Sequence, residues 1–189
     1  IMTAGVGPSL INEIPEVSSV LRVSNPAPGF FVSEGRNYSA RSLVYADSSF
    51  FNVFSFPLII GSPRDVLTQP FYLVLCWSMA EKMFGDAASA IGKQVRLNDR
   101  DNLMVSGVVE DPPANSHLRF DAICSFETLY QDPDLHLDWN GGWNYFTYLL
   151  LHEGSSLEKV EQQIVPIAYK NINQGLSSIG MSWNFSLQP

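Results

Sequence analysis

Residues 71–77, Phe71-Tyr72-Leu73-Val74-Leu75-Cys76-Trp77, form an unbroken apolar run. A segment this short reads as a strand buried on both faces, since it has no polar face to turn toward water. Such a strand needs covering layers on each side, which restricts the chain to sheet architectures with more than one layer. The residues that follow supply a helix. Met79, Ala80, Met83 and Phe84 recur at helical spacing, Ser78 and Glu81 have the spacing of a capping box, and Gly85 is placed to end the helix.

The remaining segments mix both periodicities. Leu10, Ile11 and Ile14 fit one face of a short helix that Pro15 ends. Val20 to Val23, Phe30 to Val32 and Ser42 to Tyr45 read as strands, with a turn at Asn25-Pro26-Ala27-Pro28-Gly29. Phe50, Phe51 and Phe54 share a helical turn that becomes extended into Pro57, and Gly61-Ser62-Pro63 is a break. Gln94 to Leu97 and Leu103 to Val109 read as a hairpin with a five-residue loop. After the break Asp111-Pro112-Pro113-Ala114-Asn115, Leu118, Phe120, Ala122, Cys124 and Phe126 recur at period two, as in a half-buried strand. Tyr145 to Leu151 is another strand. Ser155 and Glu158 have capping-box spacing before a helix faced by Leu157, Val160, Ile164 and Ile167, which Pro166 is expected to kink or shorten. Ser182 to Leu187 reads as a final strand. The fold class is α+β, with joints near Gly61-Ser62-Pro63 and in the loop 131–144.

Composition excludes several functions. Hydrophobic residues make up 46% of the 189, enough for a core. The net charge of −8, with eleven scattered Lys and Arg, argues against a nucleic-acid partner. No run reaches the roughly 18 apolar residues of a membrane span. The start lacks the basic and apolar regions of a signal peptide, and Ile1 before Met2 suggests an excised fragment. Cys76 and Cys124 fit no zinc spacing and read as buried thiols, with a disulfide open if their strands are neighbours.

No catalytic signature is present: there is no Gly-x-Ser-x-Gly, no phosphate-binding P-loop and no His-Glu-x-x-His, and no cofactor is implied. The most suggestive polar cluster is Asp132, Asp134, His136 and Asp138. If extended, it puts three carboxylates and an imidazole on one face, a donor set that suits a divalent cation. The plainer reading is a solvated loop with Leu135 and Leu137 packed inward. His117 and His152 sit singly beside apolar strands and read as surface or structural residues. Trp139, Trp143 and Tyr145, around Gly141-Gly142, are either core aromatics or anchors for a partner.

Beyond these readings, the chain carries a series of motifs in a fixed order. Phe50-Phe51-Asn52-Val53-Phe54-Ser55-Phe56-Pro57-Leu58 comes first, followed by Ala80-Glu81-Lys82-Met83-Phe84-Gly85-Asp86 and Ile91-Gly92-Lys93. Next are Val105-Ser106-Gly107-Val108-Val109-Glu110-Asp111-Pro112-Pro113 and Asn115-Ser116-His117-Leu118-Arg119-Phe120-Asp121. The strand Thr147 to Leu151 and a closing Leu187-Gln188-Pro189 complete the series. Together they resemble the periplasmic core domain of MacB/FtsX-like ABC transporter permeases over about residues 9–189. Cys76-Trp77 and Pro166 depart from the pattern.

The resemblance implies an extracytoplasmic domain between the first and second of four membrane helices. It implies a porter-like α/β subdomain formed by both chain ends, residues 1–63 and 141–189, and an inserted β-rich (Sabre-like) subdomain, 64–140. The implied partners are a second permease copy, a cytoplasmic ATPase reached through the membrane part, and a periplasmic adaptor or hydrolase. The implied role is non-catalytic coupling of ATP-driven motion to export, extraction or partner activation. Two competing readings are a stand-alone extracellular binding or adhesion module and a hydrolase or metal-dependent enzyme using residues 132–138.

Overall fold

A computed structural model of the chain describes residues 1–173 and 186–188. In chain order the elements are α1 (Val6–Glu13), β1 (Val17–Ser24), β2 (Ala27–Ser33), β3 (Arg36–Ala46), α2 (Phe50–Val53), β4 (Leu58–Ile60), β5 (Tyr72–Cys76), α3 (Trp77–Phe84), β6 (Gln94–Leu97), β7 (Asp101–Val109), β8 (Ala122–Ser125), β9 (Tyr145–Leu151) and α4 (Leu157–Ala168). Short 3₁₀ turns follow α3 and β8, at Ala87–Ala90 and Phe126–Gln131. The mixed α/β content agrees with the expected class. The expected strand at 182–187 falls largely outside the described residues.

The chain packs as two compact units, 23–135 and 1–22 with 136–189. In the unit 23–135 the uninterrupted apolar run becomes β5. It pairs with β7 in parallel, from Tyr72↔Met104 to Cys76↔Val109, and with β8 antiparallel, Leu73↔Cys124 to Leu75↔Ala122. Leu73, Val74, Leu75 and Cys76 are all buried, so both faces of the strand are covered. Six strands close on themselves in the order β2-β6-β7-β5-β8-β3, and β3 returns to β2 through a hairpin. Closure removes the free edges that a strand of this apolarity would otherwise expose. β4 lies off the ring, paired with the end of β7, and the end of β1 pairs with β3 at Val23↔Ala46.

The ring holds Phe31, Ala40, Leu43, Leu73, Leu75, Val95, Leu97, Leu103, Val105, Ala122 and Cys124 in one core, with Met79, Ala80 and Met83 of α3 packed into it. Gly85 ends α3 in the left-handed conformation at φ 75°, where a residue without Cβ carries no steric cost. β2 and β3 lie before the expected joint at Gly61-Ser62-Pro63, yet they pair with β6 and β8, which lie beyond it. The compact units accordingly meet the chain at 22/23 and 135/136.

The other unit contains α1, β1 up to Arg22, β9 and α4. Its core is Val6, Leu10, Ile14, Val17, Val160, Ile164 and Ile167. β1 lies beside β9; Ser18 Oγ donates to the Leu150 carbonyl at 2.9 Å and the His152 N–H to the Glu16 carbonyl at 2.9 Å. Met2 bridges to Tyr145 through two backbone bonds of 2.6 and 3.1 Å. The Lys159 ammonium lies 2.5 Å from the Glu16 carboxylate and holds it below the usual carboxylate range.

Several local readings change. Ser78 does not cap α3, because it is already the second helical residue; Cys76 is the N-cap and its side chain makes no capping bond. Asp111 takes over, its Oδ1 accepting from Ser78 N–H at 3.2 Å and Ser78 Oγ at 2.9 Å. At α4 the cap is Ser156, one residue beyond the expected Ser155, accepting from Lys159 N–H. The hairpin loop shrinks to Asn98-Asp99-Arg100. Asn98 and Asp99 both take positive φ, which their short polar side chains tolerate. Of the period-two segment 118–126, only Ala122–Ser125 is strand, and Leu118 and Phe120 are buried from a loop.

α4 passes through Pro166 to Ala168 and then widens into a π-helical turn, Tyr169–Asn173. A proline so near the helix end removes one donor and leaves the preceding turns intact.

Leu73→Ala is predicted to cost about 3–4 kcal/mol, because it opens a cavity where the ring cannot collapse. Ile59→Ala, at a side chain 42% exposed on β4, is predicted to cost less than about 1 kcal/mol. Urea unfolding of both variants checks the contrast.

Candidate functional site

In the cluster Asp132, Asp134, His136 and Asp138, two of the carboxylates are already engaged. Asp132 Oδ2 lies 2.6 Å from Nη2 of Arg100, and its Oδ1 accepts from Asp134 N–H at 3.1 Å. The guanidinium, then that backbone bond, hold the Asp132 carboxyl below its ordinary value. Asp138 Oδ1 accepts from Asn140 N–H at 2.8 Å, closing a turn of its own. Asp134 and His136 are exposed. Among the described residues no three His, Cys, Asp or Glu side chains converge so as to hold a metal ion.

The aromatic and glycine stretch docks onto α1. The Trp139 indole N–H donates to Ser9 Oγ at 2.9 Å, and the Asp138 carbonyl accepts from Gly5 N–H at 3.3 Å. The backbones meet so closely that a Cβ on Gly5 would lie 2.6 Å from the Trp139 nitrogen, and one on Gly141 would lie 1.9 Å from the His136 carbonyl oxygen. Trp139 is half-buried against the unit's core, Tyr145 is buried, and Trp143 is half-buried.

Cys76 and Cys124 are free buried thiols. Cys76 Sγ donates to the Phe120 carbonyl at 3.0 Å. The two lie on paired strands but out of register, since Cys124 faces Leu73. Burial pushes both thiols well above their ordinary range.

A concave surface lies elsewhere, in the unit 23–135. Glu110 N–H bonds to the Pro57 carbonyl at 2.9 Å, and Leu58 faces Val109. This pairing brings the Phe54-to-Pro57 segment beside the segment running from Glu110 to His117. Between them lie two adjoining hollows of about 400 Å3 each. One is lined by Ile59, Trp77, Glu110 and Asp111. The other is lined by Phe54, Phe56, Pro57, Pro113, Ser116 and His117, and shares the two carboxylates.

The aromatic floor is anchored below. Phe50, fully buried, stacks on Phe56 at 5.6 Å and meets Phe54 edge-on at 5.4 Å, and Phe120 meets Phe56 at 5.2 Å. Phe54 also contacts the His117 ring at 6.0 Å.

Sequence reasoning singled out each of these motifs without seeing that they converge. The signal was there in two proline-bearing breaks, Phe56-Pro57 and Pro112-Pro113, each adjoining a strand of the same pair.

Ser116 Oγ donates to the Leu118 carbonyl at 2.8 Å, and the concave, largely apolar shape of the groove suits binding. Residues 3–167 match the family described as MacB-like periplasmic core domain. The chain belongs to that family.

Among solved structures, a domain of a putative permease from Porphyromonas gingivalis superposes with a TM-score of 0.78 at 22% identity, covering 92% of this chain and 79% of that one. The periplasmic region of MacB from Actinobacillus actinomycetemcomitans gives 0.67 at 16% identity, covering 97% and 85%. The extracellular domain of the noncanonic ABC-type transporter YknZ from Gram-positive bacteria gives 0.64 at 17%, covering 91% and 86%. These likenesses are likenesses of fold. A comparison with curated proteins finds no match. No helix among the described residues is long and apolar enough to cross a membrane.

Two outcomes follow for this MacB-like core domain. A thiol whose pKa is raised stays protonated and unreactive. An aromatic disulfide reagent at mildly alkaline pH is therefore predicted to titrate neither cysteine in the folded chain and both after denaturation.

For Asp132, a folded-state value below the unfolded one means that the Arg100 pair contributes above the unfolded pKa and is lost as pH falls through the folded one. Arg100→Ala is predicted to move the Asp132 titration upward toward the ordinary carboxylate range, read by NMR of its carboxyl carbon. Stability at neutral pH should change little, because the pair is solvent-screened.

Proposed function

We propose that the chain is the extracytoplasmic domain of an ABC transporter permease and that it carries ATP-driven motion of the membrane helices to events outside the cytoplasm. The carrying observation is the family match over residues 3–167. The fold likeness to two extracytoplasmic transporter regions supports it. On this reading the protein performs no covalent chemistry of its own. Its energy source is an ATPase on the other side of the membrane, and its working partners are a second permease copy and a periplasmic adaptor or hydrolase. Output takes the form of export, extraction or activation of that partner.

Mechanical transmission needs parts that stay rigid while moving. The closed six-strand ring of residues 23–135 suits this, because its core is continuous and its strands are tied on both edges. The other unit has its own core of α1, β1, β9 and α4. The proposed division into a porter-like part (1–63 and 141–189) and an inserted β-rich part (64–140) is the family's scheme. The compact units divide the chain at other positions, 1–22 with 136–189 and 23–135, and these are the bodies we propose to move.

A label pair tests the motion. Ile11→Cys in one unit and Glu127→Cys in the other place thiols at exposed positions, while Cys76 and Cys124 stay buried and unlabelled. In the full permease with its ATPase, the spin-label distance distribution is predicted to shift between the nucleotide-free and the ATP-trapped state. An identical distribution in both states would contradict the proposal.

A further inference from the structure

The groove of residues 54–59, 77 and 110–117 has a make-up that transmission of motion does not require. Phe54, Phe56 and Trp77 are half-exposed and Ile59 is 42% exposed, so aromatic and aliphatic surface faces solvent where the ring's core could have enclosed it. The walls are stiff. Phe50 and Phe120 hold Phe56 from beneath, and Pro57, Pro112 and Pro113 restrict the backbone on both sides. A preformed surface of this kind loses little entropy on binding. At its centre stand Glu110 and Asp111, shared by both hollows, and among the described lining residues there is no Lys or Arg. Asp111 is tied to Ser78. Glu110 is tied through its backbone N–H to Pro57 and is exposed where it lines both hollows.

Alongside lies β4, a short strand outside the ring. Among the described residues it is paired with β7 only. An extended chain can be accommodated beside such an edge.

We infer that this groove binds an extended segment of a partner protein that carries Lys or Arg next to aliphatic or aromatic side chains. The apolar residues seat on Phe54, Phe56, Ile59 and Trp77. The cation is drawn to Glu110 and lies across the aromatic faces, which adds cation–π attraction. Charge complementarity chooses this occupant. An acidic segment would bring like charges together over a low-dielectric floor, and a purely apolar one would leave the carboxylates without a partner. The inference stands apart from the transport reading, since it uses only the groove's own chemistry.

The probe is acetyl-Leu-Arg-Leu-Arg-Leu-amide, titrated into the 15N-labelled chain at physiological ionic strength. Its counterpart with Glu in place of Arg serves as the control. Amide shifts are expected to cluster at 54–60, 77–78 and 110–117 with the cationic peptide and to be absent with the acidic one. Glu110→Lys and Ile59→Ser, both at exposed positions, are each expected to weaken binding about tenfold. Glu153→Lys, an exposed carboxylate elsewhere, should leave it within about twofold.

No shifts, shifts spread over the acidic surface, or equal sensitivity to Glu153→Lys and Glu110→Lys would each overturn the inference. So would groove shifts produced by raising the protein concentration alone, which would make a second copy the occupant.

Discussion

Everything in the unit 23–135 depends on a strand that can give neither face to water. Leu73 and Leu75 point into one core while Val74 is equally buried on the opposite side. A strand so placed must also be paired on both edges, because an unpaired backbone group away from water costs as much as a lost hydrogen bond. β7 and β8 provide that pairing, and the remaining strands complete the ring. The turn out of β5 leads directly into α3, whose apolar stripe covers the core. Asp111, at the exit of the neighbouring β7, closes the start of that helix. The same geometry places Trp77 and Asp111 side by side in the groove, so the fold's central strand also sets the candidate binding surface.

Much of this was legible in the sequence because it rests on local signals. The double burial of β5, the Gly85 stop, the turn at Phe50–Val53 and the strand Tyr145–Leu151 follow from periodicity and from glycine's freedom at positive φ. The misreadings share a cause, since each required knowing a distant neighbour. The capping group of α3 comes from residue 111, which no local box predicts. Leu118 and Phe120 alternate like a strand but are buried from a loop, Phe120 beneath the ring of Phe56. The expected joint at Gly61-Ser62-Pro63 is a true local break. β2 and β3 nevertheless pair across it, because ring closure rewards contacts that the chain order hides.

The candidate site divides in the same way. The acidic run 132–138 was conspicuous in sequence, but its carboxylates are engaged separately: Asp132 with Arg100 and Asp138 with the turn at Asn140. Trp139 was conspicuous too, and its indole N–H is occupied by Ser9. The groove was inconspicuous, because it is assembled from two motifs about fifty residues apart that are joined by the pairing of β4 with β7. If ATP hydrolysis is supplied from another part of the permease, as proposed, this groove is the surface on which the chain's own residues can act.

The fold is proposed to work as one extracytoplasmic piece of a membrane permease. The most direct measurement is to sequence the complete reading frame around the chain and read its hydropathy. One apolar span of about 20 residues is predicted before Ile1 and three after Pro189. A cleavable signal with no later span would contradict it and would make the chain a free-standing secreted module.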